Sequence, residues 1–123
     1  NIRYKLIIET DKMYEYLSKS DLVIGAAGVS LLERVSMGIP SITIPTSDNQ
    51  MNQLKVIETK EGTQSIKFPF AEKRFVNFLM EIVEDFNKRK LMSNKAKQII
   101  KENSAKLLSE KIINFYNQSF NHK

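Results

Sequence analysis

The sequence predicts an α/β fold, a parallel sheet of about four or more strands layered between helices, with further helices at the C-terminal end. Short apolar runs rich in Ile, Leu and Val at residues 5–8, 22–24 and 41–44 are bounded by turn signals and are too short to be helices. The stretches between them carry apolar residues at helical spacing. Strands that alternate with helices imply a parallel sheet with right-handed crossovers, the handedness that lets each helix pack back onto the twisted sheet.

Taken in order, the run at 5–8 is a strand, and Asp11 can cap a helix carrying Met13, Tyr14 and Leu17. A second strand at 22–24 leads to a helix over 31–37 that ends at Gly38, before Pro40. The third strand, 41–44, is followed by a helix over 48–61 closed by Gly62, and then by a fourth strand at 64–68 before Pro69. Beyond that point Phe75, Val76, Leu79, Val83 and Phe86 recur at helical spacing, as do Ala96, Ile99 and Ile100, and later Leu107, Leu108, Ile112 and Phe115. Their apolar stripes are expected to cover the sheet.

At 123 residues and 14.2 kDa the chain reads as one domain with a single core. No apolar stretch approaches the roughly 20 residues of a membrane span, and no signal-peptide pattern opens the chain. The absence of cysteine excludes a disulfide framework, a thiolate metal site and a Cys nucleophile, and fits a reducing cytoplasm, the expected location. Residues 1–85 hold 10 basic and 12 acidic side chains, whereas residues 86–123 hold 9 and 2. Because the C-terminal lysines alternate with helical apolar positions and lack interleaved aromatics, they read as a solvated helix face and not as a nucleic-acid surface. His122 is the only histidine and lies in a polar end, so neither a Ser-His-Asp arrangement nor a His-based metal site can be built, and no metal or cofactor is expected.

In a parallel sheet, ligands bind beyond the carboxyl ends of the strands, which here selects the loops at 9–11, 25–30 and 46–50. The middle loop, Gly25-Ala26-Ala27-Gly28-Val29-Ser30, follows a strand and opens a helix, where backbone N–H groups and the helix dipole meet an anion. Its glycines lack the third member of the dinucleotide fingerprint and are not followed by the Gly-Lys-Ser/Thr of a Walker loop. Spacing alone leaves two readings open: a phosphate cradle, or small residues that merely permit a tight turn.

The residues Ser20-Asp21-Leu22-Val23-Ile24-Gly25-Ala26-Ala27-Gly28-Val29-Ser30-Leu31-Leu32-Glu33-Arg34, then Gly38-Ile39-Pro40-Ser41, then Asp48-Asn49-Gln50, resemble the C-terminal domain of glycosyltransferase family 28. In wording, "ER" before "GIPSI" and the closing "DNQ" are similar to the UDP-sugar hydrolase of pseudaminic acid biosynthesis and its spore-coat polysaccharide relatives. The resemblance implies a Rossmann-like three-layer lobe, the C-terminal half of a GT-B fold. In such proteins this lobe holds the UDP part of a UDP-sugar, and an N-terminal lobe supplies most catalytic and acceptor groups. The chain opens on Asn1 rather than Met, and is expected to be the C-terminal lobe of a larger two-lobed enzyme, inactive in isolation.

By resemblance, Ser30 and the N–H groups of Gly28 and Val29 hold the diphosphate, although the family commonly has Ser or Thr where this chain has Val29. Glu33 grips the ribose hydroxyls, the main chain of Thr10 lies beside the uracil edge with Met13 against its face, and Asn49 and Gln50 contact the sugar. Each polar residue has a plainer reading: Ser30-x-x-Glu33 and Ser47-x-x-Gln50 are both capping-box patterns, Asp11 is a helix cap, and Met13 is core. Catalytic residues are not identified. The principal function expected is the UDP-sugar-binding lobe of a nucleotide-sugar hydrolase in surface-polysaccharide or nonulosonic acid biosynthesis. The alternatives are the donor-binding lobe of a UDP-sugar-dependent glycosyltransferase and a non-catalytic donor-binding subunit of a split enzyme.

Overall fold

The computed structural model describes residues 3–121, with the side chains of residues 29, 103–112 and 114–121 excepted. Its elements are α1 (Met13–Ser18), β1 (Val23–Ala26), α2 (Val29–Ser36), β2 (Ser41–Ile44), a 3-10 turn (Asp48–Gln50), α3 (Met51–Thr59), β3 (Gln64–Ser65), α4 (Glu72–Val83) and α5 (Phe86–Asn121). The strands run parallel in the order β1-β2-β3, with Val23 opposite Ser41, Ala26 opposite Ile44, and Ile42 opposite Gln64.

Alternation along β2 divides the core into two layers. Ile42, with Ile44 packed alongside, joins Ile66, Ile82 and the partly buried Phe75, Phe78 and Leu79 beneath α4. On the other side, Leu31 and Val35 of α2 pack with Leu54 and Ile57 of α3 and with Ala96 and Ile99 of α5. Ser41 and Thr43, which alternate with the isoleucines, are fully buried. Thr63 satisfies both: its hydroxyl lies 2.8 Å from the Ser41 hydroxyl and 2.9 Å from that of Thr43, and contacts the Ser41 carbonyl at 3.0 Å. Helices thus cover both faces of a parallel sheet, the expected three-layer α/β architecture.

Among the described residues the sheet has three strands, fewer than expected. Residues 5–8 form no strand, and their neighbourhood stays in solvent, with Tyr4 91%, Leu6 79% and Ile8 76% exposed. An apolar run becomes a strand only if a neighbour pairs with it and a layer covers it. Here the following helix, α1, buries none of its own residues and offers no such layer. The fourth predicted strand contracts to Gln64–Ser65 with one further bond, Ile66 N–H to the Thr43 carbonyl at 3.1 Å. Lys67 and Phe68 are exposed, and Pro69 has no N–H to extend the ladder.

Helices α2 and α3 end in the same way. Gly38 N–H bonds the Val35 carbonyl and Ile39 N–H that of Arg34, each at 3.0 Å, a Schellman closure with Gly38 at φ 67°. In α3 the equivalent bonds run from Glu61 to Glu58 and from Gly62 to Ile57, each at 2.9 Å, and the left-handed residue is Glu61 at φ 64°. Gly62 therefore does not close the helix through its backbone freedom. A Cβ there would stand 2.6 Å from Ile99 Cδ1 and 3.0 Å from Ile57 Cγ2, so its small size lets α3 meet α5.

Phe86 begins α5 and does not extend the α4 stripe; with Val76 and Val83 it is exposed. α5 continues as one helix through the expected Leu107, Leu108, Ile112 and Phe115, whose side chains lie outside the described residues, as does His122. Lys90, Lys97 and Lys101 are exposed. No helix among the described residues is long and apolar enough to cross a membrane.

Candidate functional site

The turn from β1 into α2 is built on Gly28, whose φ of 93° and ψ of −147° suit glycine and strain other residues. Gly28 is the helix N-cap, and its carbonyl receives the N–H groups of Leu31 and Leu32 at 3.1 and 3.3 Å. Val29 and Ser30, at the first two helical positions, have no intrahelical acceptor for their N–H groups, and Ser30 is exposed. These donors and the positive end of the helix dipole meet at the carboxyl end of a parallel strand.

The capping alternatives for the polar residues are not realised. Because Gly28 is the N-cap, Ser30 already lies inside α2, and no side-chain bond closes a Ser30–Glu33 box. Glu33 is exposed, and its carboxylate makes no hydrogen bond among the described residues. At the second box, Ser47 donates to Asn49 Oδ1 at 2.5 Å and Thr46 donates to Gln50 Oε1 at 3.2 Å, and no side-chain bond caps the turn. Asp11 does not cap α1, whose N-cap is Lys12; the Lys12 N–H is accepted by Thr10 Oγ1 at 2.9 Å. Met13 is not core but 53% exposed.

Two groupings result. Met13 and Glu33 line one cavity of about 320 Å³ with Tyr14, Leu17, Ser36 and Met37. Gln50 lies over the glycine turn, since a Cβ on Gly28 would stand 3.1 Å from its Nε2. α2 joins the two, with Gly28 at its start and Glu33 just over a turn further on. Asn49 is exposed and accepts from the Ser47 hydroxyl. A larger cavity of about 520 Å³ opens around Thr63, Gln64, Phe78 and Met92, beginning at the amino end of β3, away from these loops.

Arg34 escaped sequence reasoning. It is 2% exposed, and its Nη2 donates to the Ala26 carbonyl at 2.9 Å and to Thr43 Oγ1 at 3.1 Å. Its Nε is buried without a partner, and no carboxylate forms an ion pair with it among the described residues. Burial lowers its pKa from the usual arginine value, while the charge of Glu33 acts in the opposite direction. Gly25 makes room for it, since a Cβ there would approach Arg34 Nη1 to 2.8 Å. A signal was available: Arg34 follows Leu31 by three positions and adjoins Val35, which places it on the inward face of the helix.

Fold and turn together define an α/β lobe with an anion-ready junction between strand and helix. The profile of the glycosyltransferase family 28 C-terminal domain matches residues 2–112, and the chain belongs to that family. It is 32% identical over 93 residues to the UDP-N-acetylglucosamine–N-acetylmuramyl-(pentapeptide) pyrophosphoryl-undecaprenol N-acetylglucosamine transferase of Pediococcus pentosaceus. That alignment covers 71% of this chain and 26% of the relative, so the chain spans about a quarter of the relative's length.

Proposed function

We propose that the chain is the donor-binding lobe of a UDP-sugar-dependent glycosyltransferase. The diphosphate lies on the N–H groups of Gly28, Val29 and Ser30, the ribose on Glu33, the base between the main chain of Thr10 and Met13, and the sugar beside Asn49 and Gln50. A second lobe supplies the catalytic and acceptor groups. The observation that carries this reading is Glu33: an unengaged carboxylate, relieved of any capping duty, facing the same cavity as Met13 from the helix that starts at the glycine turn. Two acceptor oxygens on a charged group suit two adjacent hydroxyls. The transferase reading is preferred to the expected hydrolase because the related protein is named a transferase and family membership does not single out hydrolysis.

Glu33→Gln tests the site. The substitution keeps the shape and removes the charge, and no cap is lost, so the fold is expected to be unchanged. UDP affinity should fall roughly tenfold, the effect of weakening charge-assisted bonds to the ribose. Wild type should discriminate UDP from its 2′,3′-dideoxy analogue, and the variant should not. Equal UDP affinity in the two proteins would remove the ribose role, and a stronger response to CMP, GDP or ADP than to UDP would remove the uracil assignment. Consumption of UDP-sugar with water alone, with no gain from an acceptor, would return the hydrolase reading.

A further inference from the structure

We infer that Arg34 is a positioning residue whose buried positive charge supports anion binding at the glycine turn from beneath, with a diphosphate as the ligand class it favours. The inference rests on the diphosphate site proposed above.

A buried charge is ordinarily matched by an opposite one, because removal from water is costly. Arg34 is 2% exposed, lacks an ion-pair partner among the described residues, and has a buried Nε with no acceptor. Its guanidinium lies against the backbone of Gly25 and Ala26, the two residues that lead into the turn, and is fixed there by the Ala26 carbonyl and the Thr43 hydroxyl. Thr43 is itself held by Thr63, so the guanidinium is tied to a fixed acceptor and would lose its bonds to Thr43 and Ala26 by swinging away. A neutral donor such as glutamine could serve the Ala26 carbonyl, so the hydrogen bonds do not account for the charge. An anion seated on the N–H groups of Val29 and Ser30 would lie above the same backbone and complete the missing half of the pair. The field of a fixed charge in a poorly solvated site acts over several ångströms and requires no direct contact.

The test uses two probes, inorganic pyrophosphate and uridine, titrated against the 123-residue chain and followed by the amide shifts of Val29 and Ser30, with circular dichroism reporting the fold. Arg34→Gln is expected to lower the ratio of pyrophosphate to uridine affinity about tenfold, and Arg34→Lys, which keeps the charge and loses the fork, to preserve it within about threefold. Should Arg34→Gln not fold, Arg34→Met provides the neutral side chain of similar length. A purely structural arginine would weaken both probes together and would not be rescued by lysine, and that result overturns the inference, as does an unchanged ratio in the neutral variant. Wild type that binds pyrophosphate but not uridine would sink the nucleotide reading and leave the role of Arg34 standing. Wild type that binds uridine but not pyrophosphate would do the reverse, and binding of neither removes both.

Discussion

Replacing Gly28 with alanine isolates what the glycine turn requires. At φ 93° and ψ −147° an L residue is strained by about 1–3 kcal/mol. The new Cβ would also stand 3.1 Å from Gln50 Nε2, and the amide can retreat only by loosening the Thr46 bond to Gln50 Oε1 at 3.2 Å, a loss of about 0.5–1.5 kcal/mol. Together these give a destabilisation of about 1.5–4.5 kcal/mol, which for a domain of this size lowers Tm on the order of 10 °C. Thermal and urea unfolding followed by circular dichroism would measure it. In a Gln50→Ala background, where the crowding and the Thr46 bond are both already gone, Gly28→Ala should still cost the backbone strain alone, about 1–3 kcal/mol. A Tm within about 2 °C of wild type for Gly28→Ala would refute the reasoning, and no loss on adding Gly28→Ala to Gln50→Ala would show that the backbone angle carries no penalty.

Two other substitutions probe how the sheet and helices are held around the turn. Gly62→Ala should destabilise by about 1–3 kcal/mol, because Ile99 and Ile57 already occupy the space of the new methyl, and equilibrium unfolding in urea should show a lower midpoint with an unchanged slope. Thr63→Val keeps the volume but strips the hydroxyl that serves Ser41, Thr43 and the Ser41 carbonyl, for a loss on the order of 2 kcal/mol or more; Thr63→Ser, which retains it, should lose less in the same assay.

Much of the fold was legible because local signals and tertiary packing agreed. Ser41–Ile44 was placed to the residue, since Pro40 and Pro45 bound it and its apolar positions alternate. The end of α2 was equally readable from Gly38. Residues 5–8 were misread because membership of a sheet depends on a neighbour and a covering helix, neither of which is written in an apolar run. Gly62 was given the correct importance for the wrong reason, as sequence does not show which of two adjacent residues takes the left-handed angle. At the site, the glycine turn and Glu33 stood out, but whether Ser30 and Glu33 cap a helix depends on where α2 begins, which is set by the backbone at Gly28. The inward face of Arg34 could be read from Leu31 and Val35, but its setting between Gly25 and Thr43 exists only once the strands are paired.

The absence of buried residues in α1 gives the two ends of the proposed nucleotide pocket unequal debts of entropy. The turn at Gly28 is clamped between β1, α2 and Gln50, so a ligand finds those donors already aimed and removes little motion by using them. Met13 opens a short helix that no core anchors, and Thr10 stands in the segment just before it, itself preceded by exposed chain, so holding a base there means ordering that segment at the moment of binding. Uridine and pyrophosphate would therefore report different things: the first how much order the nucleoside end must gain, the second how much the phosphate end already possesses.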